Sequence, residues 1–188
     1  ESSLFFPNFC SNYFPKFKNE DSNLNKITIN DSQIIFNDSA DYFNKIRNVT
    51  ILNLSYNGIK ALPYTFRRLD KLVILNLKRN NISNLDVSPD LKVEDMDLSE
   101  NEFKEVPEVL YLLPKLNKLN MNSNYISDLK ICKDNTKIKY FYLANNKFVI
   151  IPPSVVFLHK LQHFALDSNK IVEINPTIFN DTKMKIKI

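Results

Sequence analysis

Few residues in this chain are of the kind that do chemistry, and their spacing argues against it. The two histidines are His159 and His163. His163 shares an outward row with Asp167, but four residues of extended chain would hold them roughly 13 Å apart, and no nucleophile is placed beside either histidine. Asp95, Asp97 and Glu100 make an acidic spot, with Lys78 and Arg79 on one side and Lys118 on the other to neutralise it. A solvated charged face follows from that arrangement. With a single Gly the chain has no glycine-rich phosphate loop, and no Cys/His spacing suits a metal. The expectation is a chain that is not an enzyme and has no cofactor and no metal.

The elements that must position these residues repeat. The stretch Leu72-Val-Ile-Leu75-Asn-Leu77-Lys-Arg-Asn80-Asn-Ile82 sets apolar residues at places 1, 4, 6 and 11 and an asparagine at place 9, counted from Leu72. The pattern returns as Val49-Leu52-Leu54-Asn57-Ile59, Val93-Met96-Leu98-Asn101-Phe103, Leu116-Leu119-Met121-Asn124-Ile126, Ile138-Phe141-Leu143-Asn146-Phe148 and Leu161-Phe164-Leu166-Asn169-Ile171. A first copy, Leu24-Ile27-Ile29-Ser32-Ile34, has Ser at place 9. First residues at 24, 49, 72, 93, 116, 138 and 161 fall 21 to 25 residues apart.

That spacing is the leucine-rich-repeat pattern. It implies an α/β, right-handed solenoid, a horseshoe with a concave parallel β-sheet and short helical or extended convex segments. Places 3 to 7 form the strand, 4 and 6 pointing in and 3, 5 and 7 out. The place-9 amide is expected to bond backbone of its own and the adjoining turn. Returns after the second, fourth and sixth copies carry Leu62-Pro63, Val106-Pro107 and Ile151-Pro152, each a proline start for a helical turn, whereas those after the third and fifth, Ser83 to Lys92 and Ser127 to Lys137, read as extended. Because one coil cannot bury its own apolar face, stability has to come from stacking.

Residues 1–23, rich in phenylalanine and without the pattern, are expected to cap the open end of the first copy, and 24–188 to form the repeat domain, seven copies and the start of an eighth at Met184 to Ile188. The chain opens at Glu1 without an initiator Met and ends without a cap, so processing at one end and continuation, or cover by another chain, at the other are expected. Cys10 and Cys132 would lie about four strand spacings apart, near 19 Å, against the roughly 7 Å a disulfide needs. Each is free, buried or paired with another chain, and Cys10 is the candidate for an intermolecular disulfide.

What the pattern supplies is a surface. Ile51, Ile74 and Tyr56 make an outward apolar patch in the first third, and Tyr140 with Tyr142 a second in the last; Lys78, Arg79, Asp95, Asp97 and His163 stand on the same face. Apolar and tyrosine side chains on a concave sheet suit protein binding. The net charge is +4, and the basic residues are scattered along the repeats, so no nucleic-acid partner is expected; no apolar run is long enough to insert into a membrane. Six Asn-X-Ser/Thr sequons occur. Sugars on Asn30 or Asn53 would obstruct the sheet, which leaves Asn37, Asn48, Asn81 and Asn180 as the glycosylation candidates.

At Ile27-Thr-Ile-Asn-Asp-Ser-Gln-Ile34, Phe36-Asn37-Asp38-Ser39 and Val49-Thr-Ile-Leu52-Asn-Leu54 the chain resembles the opening repeats of secreted insect leucine-rich-repeat proteins, the mosquito immune proteins and Toll-type ectodomains. The resemblance implies a secreted or extracellular receptor-like module of innate immunity that binds a protein ligand or a second leucine-rich-repeat protein, often in a disulfide-linked complex or dimer. The chain departs from it in having one leader cysteine, no cysteine-rich terminal cap and no coiled coil. A cytoplasmic scaffold or regulatory subunit that positions a partner enzyme is the alternative.

Overall fold

The computed structural model describes residues 2–7, 14–36, 43–131, 136–175, 178 and 185–187. Among them nine strands form one parallel sheet in chain order: β1 (Ser3–Pro7), β2 (Lys26–Asn30), β3 (Ile51–Asn53), β4 (Ile74–Asn76), β5 (Asp95–Asp97), β6 (Lys118–Asn120), β7 (Tyr140–Tyr142), β8 (His163–Ala165) and β9 (Lys185–Lys187). Register keeps equal places together. The place-4 residues Leu52, Leu75, Met96, Leu119, Phe141 and Phe164 pair strand to strand, and none is more than 1% exposed. They form the inner wall of a core that runs the length of the solenoid.

β1 lies inside the leader and adds a strand ahead of the first copy, Ser3 pairing Lys26 and Pro7 pairing Asn30. Leu4 and Phe6 pack against the core while Phe5 is 62% exposed, the alternation expected of a half-buried strand. The repeat pattern misses it because Glu1 and Phe9 would occupy places 1 and 9, where an apolar residue and an asparagine are required. Behind β1, Phe14 is buried against Phe36 and Phe43 at 5.2 and 5.1 Å between ring centres. Phe43 in turn meets Phe66 edge to face at 5.5 Å, so an aromatic stack joins the leader to the second copy's return.

The returns alternate as expected. The 3-10 helices Tyr64–Arg68 and Pro153–Phe157 and the α-helix α1 (Glu108–Leu112) each follow a proline, Pro63, Pro152 and Pro107, a residue whose missing N–H is no loss at a helix start. Residues 83–92, and those described within 127–137, contain no helix. Helical returns bury Phe66, Leu110 and Val155, and extended ones Leu85, Val87 and Leu129, so both kinds close the core. No helix among the described residues is long and apolar enough to cross a membrane.

The place-9 asparagines tie the coils together. Asn101 Nδ2 donates to the carbonyls of Leu77, Leu98 and Ser99 at 2.9, 3.1 and 3.1 Å, and its Oδ1 accepts from Ile82 N–H at 3.0 Å. It bonds two carbonyls of its own turn and two groups of the preceding coil, and supplies the acceptor for the buried Ile82 N–H. Asn57, Asn80, Asn124, Asn146 and Asn169 do the same, for example Asn80 to Leu54 and Leu77 carbonyls and from Ile59 N–H. Ser32 takes place 9 in the first copy; its Oγ donates to the Asn30 carbonyl, and its N–H donates to Asn57 Oδ1.

Candidate functional site

The outward rows of the sheet are the candidate site. Their geometry starts from the way each strand ends. At place 5, Asn53, Asn76, Asp97 and Asn120 accept through Oδ1 from the N–H two residues on, at 2.9 to 3.1 Å. This is the Asx turn that a short side-chain oxygen makes with its own backbone. Three residues later every place 8, Asp31, Tyr56, Arg79, Glu100, Ser123, Asn145 and Ser168, takes a left-handed φ of 53 to 62°. In Tyr56, Arg79, Glu100, Ser123 and Asn145 the conformation is held by an N–H fixed to the next coil, as Arg79 N–H is to the Ser99 carbonyl at 2.9 Å. Neither device is in the repeat consensus used to read the sequence, and the place-5 Asn/Asp row was the signal for it.

Of the first patch, Ile51 and Ile74 are register partners on β3 and β4, Ile74 being 37% exposed. Tyr56 stands apart from them, past the strand exit, with the Arg79 guanidinium 5.1 Å from its ring centre. The second patch gains a member. Tyr140 and His163 are register partners and stack at 5.0 Å with their rings 14° apart, while Tyr142 shares their face two residues along the strand. The two patches are not brought together, because β5 and β6 lie between them.

Between the patches the charges pair. Lys118 Nζ reaches Asp95 at 2.9 Å and Lys78 Nζ reaches Glu100 at 3.0 Å, with Arg79 Nε at 4.0 Å from the same carboxylate. The hydrogen bond to Asp95 raises the Lys118 ammonium above the ordinary lysine range, and that to Glu100 does the same for Lys78. Asp97 is held by Ser99, through N–H and hydroxyl, and by Asn120. The acidic spot is therefore neutral in effect and built from side chains committed to one another. Among the described residues no three His, Cys, Asp or Glu side chains gather as metal ligands.

Asn48 and Asn81 are exposed. Asn48 donates to the Ser22 carbonyl at 2.8 Å and Asn81 to Glu102 at 2.7 Å. Asn53 is half-buried with Oδ1 held in its turn. Asn37, Asn180, Cys10 and Cys132 lie outside the described residues.

A family model described as Leucine rich repeat matches residues 22–82, and no curated protein matches the chain. Among solved structures, a leucine-rich-repeat protein of Leptospira interrogans is 23% identical with a TM-score of 0.70, over 89% of this chain and 43% of that one. The functional domain of InlJ from Listeria monocytogenes is 20% identical at 0.65, over 88% and 34%. TLR13, in its complex with ssRNA13, is 21% identical at 0.80, over 99% and 28%. This chain thus spans less than half the length of each of these structures. Strand order, asparagine column and these likenesses agree that the chain folds as a leucine-rich-repeat solenoid.

Proposed function

We propose that this chain is a non-enzymatic recognition module that binds a protein ligand through the concave sheet, in an extracellular setting and with a receptor-like role in innate immunity. The observation that carries the reading is the distribution of free contact area on that face. The paired charges of β5 and β6 already satisfy each other, whereas the Ile51 and Ile74 pair, Tyr56 apart from it, and the Tyr140, Tyr142 and His163 patch offer apolar and aromatic surface. Aromatic anchors flanked by polar groups are where binding energy concentrates. The exposed sequons Asn48 and Asn81 stand off the outward rows and leave the face open, which supports the extracellular half of the reading.

The test is to isolate a partner with the protein expressed through a secretory route, then to replace Tyr140 and Tyr142 together by alanine. The expected result is a loss of about 2 kcal/mol or more in partner affinity, with the fold unchanged by circular dichroism. Unchanged affinity would remove the concave face from the account. A mass decrease on enzymatic deglycosylation, made smaller by Asn48→Gln and by Asn81→Gln, is the expected outcome for the extracellular setting.

A further inference from the structure

Scatter along the sequence becomes a line in space. The residue just before place 1 in the third to seventh copies is Lys71, Lys92, Lys115, Lys137 and Lys160. They are 21 to 23 residues apart in the chain, and one coil apart in the solenoid. The backbone beside them is locked in that order: Glu94 N–H donates to the Val73 carbonyl, Asn117 N–H to Glu94, Lys139 N–H to Asn117 and Gln162 N–H to Lys139, at 2.8 to 2.9 Å. All five lysines are exposed, each next to a buried place-1 residue, Leu72, Val93, Leu116, Ile138 or Leu161. Lys71 shows the spacing directly, since its Nζ reaches Asn48 Oδ1, the same position one coil back, at 2.6 Å.

The counter-charge along this flank is one-sided. The acids next to the row in sequence among the described residues are Asp70, Asp90 and Glu94, all at its first half, and Glu94 takes Lys115 at 3.8 Å. From Lys115 onward the row runs through Lys137 and Lys160 with Lys139 added beside it. Like charges held about 4.8 Å apart by a sheet repel, and five sites in a line keep them there. The concave face pairs its charges; on this flank, among the described residues, only Lys115 has a carboxylate within 4 Å.

We infer that the lysine row is a second interaction surface, distinct from the concave face, and that its partner is an acidic polypeptide segment in helical form with a carboxylate on every turn. An α-helix advances about 5.4 Å per turn, close to the roughly 4.8 Å between coils, so a single acidic stripe meets one lysine per turn. Five lysines span about 19 Å, the length of some 13 helical residues. A single-stranded nucleic acid fits less well, because such sites combine cations with aromatic platforms for the bases and no Phe or Tyr immediately adjoins these lysines in sequence, the one neighbouring ring being His159 beside Lys160. Lysine, a compact and mobile point charge, suits carboxylates presented in series more than a fork-shaped bidentate contact.

The probe is a fluorescein-labelled peptide of about 20 residues with glutamates in one i, i+3, i+4 stripe, titrated with the full chain in low salt and followed by anisotropy. The comparison ligands are a peptide of the same composition with its glutamates spread around the helix, and a single-stranded RNA of equal charge. The striped peptide is expected to bind most tightly, and K115Q/K137Q/K160Q to weaken it at least about tenfold. A control variant, K104Q/K147Q/K170Q, removes the same charge elsewhere on the surface and is expected to leave binding within about twofold. Equal binding of the scrambled peptide, tighter binding of the RNA, or equal losses in both lysine variants would each overturn the proposal. The concave-face variant Y140A/Y142A is expected to bind the striped peptide normally, so failure of one surface is separable from failure of the other.

Discussion

Two rows, each with one residue per coil, run the length of this solenoid and behave in opposite ways. The place-9 asparagines, buried from Asn57 to Asn146 and half-buried at Asn169, spend their side-chain amides on backbone of their own and the preceding coil. The lysines before place 1 are exposed, and only Lys71 and Lys115 have a partner within side-chain reach among those described here. The same lattice gives a ladder inside and a line of charge outside. The difference is dielectric: an unpaired amide in the core costs on the order of 1 to 3 kcal/mol, whereas an ammonium in water costs almost nothing to leave unpaired.

The largest expected effect lies in the buried row. Asn101→Ala should lower stability by about 1 to 3 kcal/mol, since it strands the buried N–H of Ile82 and takes one of two donors from each of the carbonyls of Leu77, Leu98 and Ser99; equilibrium urea unfolding measures it. Ser168→Gly sharpens the comparison from the opposite direction. Its left-handed φ of 58° is strained for a side chain and free for glycine, so the variant should gain about 1 kcal/mol and raise Tm by about 2 to 4 °C in calorimetry. The smallest effect belongs to the paired charges of the face. Lys118 has its folded pKa raised, first by the Asp95 hydrogen bond, so its contribution is complete below the ordinary lysine range and fades as pH rises through the raised value. Lys118→Met should therefore cost about 0.2 to 1 kcal/mol at neutral pH, and the difference from wild type should shrink as pH rises beyond the ordinary lysine pKa of about 10.4.

Much of this was legible because the physics is periodic. Apolar residues at places 1, 4, 6 and 11 and Asn at 9 give the strand register, the buried column and the alternation of proline-led and extended returns without any coordinates. Three features were not. β1 has no place-9 asparagine and is recognised only by pairing, since Leu4, Phe5 and Phe6 alternate for too short a distance to stand out from an aromatic-rich leader. The Tyr140 and His163 stack needs two residues 23 apart to be neighbours, and residue type alone assigns His163 only to the face. The lysine row was visible letter by letter, yet a reading that looks for dense basic clusters in sequence passes over cations spaced by a whole coil.

The most direct measurement is the urea midpoint of two variants beside the wild-type protein, Asn101→Ala and the triple Lys115→Gln, Lys137→Gln, Lys160→Gln. The expected result is a midpoint lowered by about 0.5 to 1 M for the asparagine variant and one within about 0.2 M of wild type for the lysine variant. A lysine variant as destabilised as the asparagine one, or an asparagine variant with an unmoved midpoint, would contradict the division between an inner row that holds the coils and an outer row that does not.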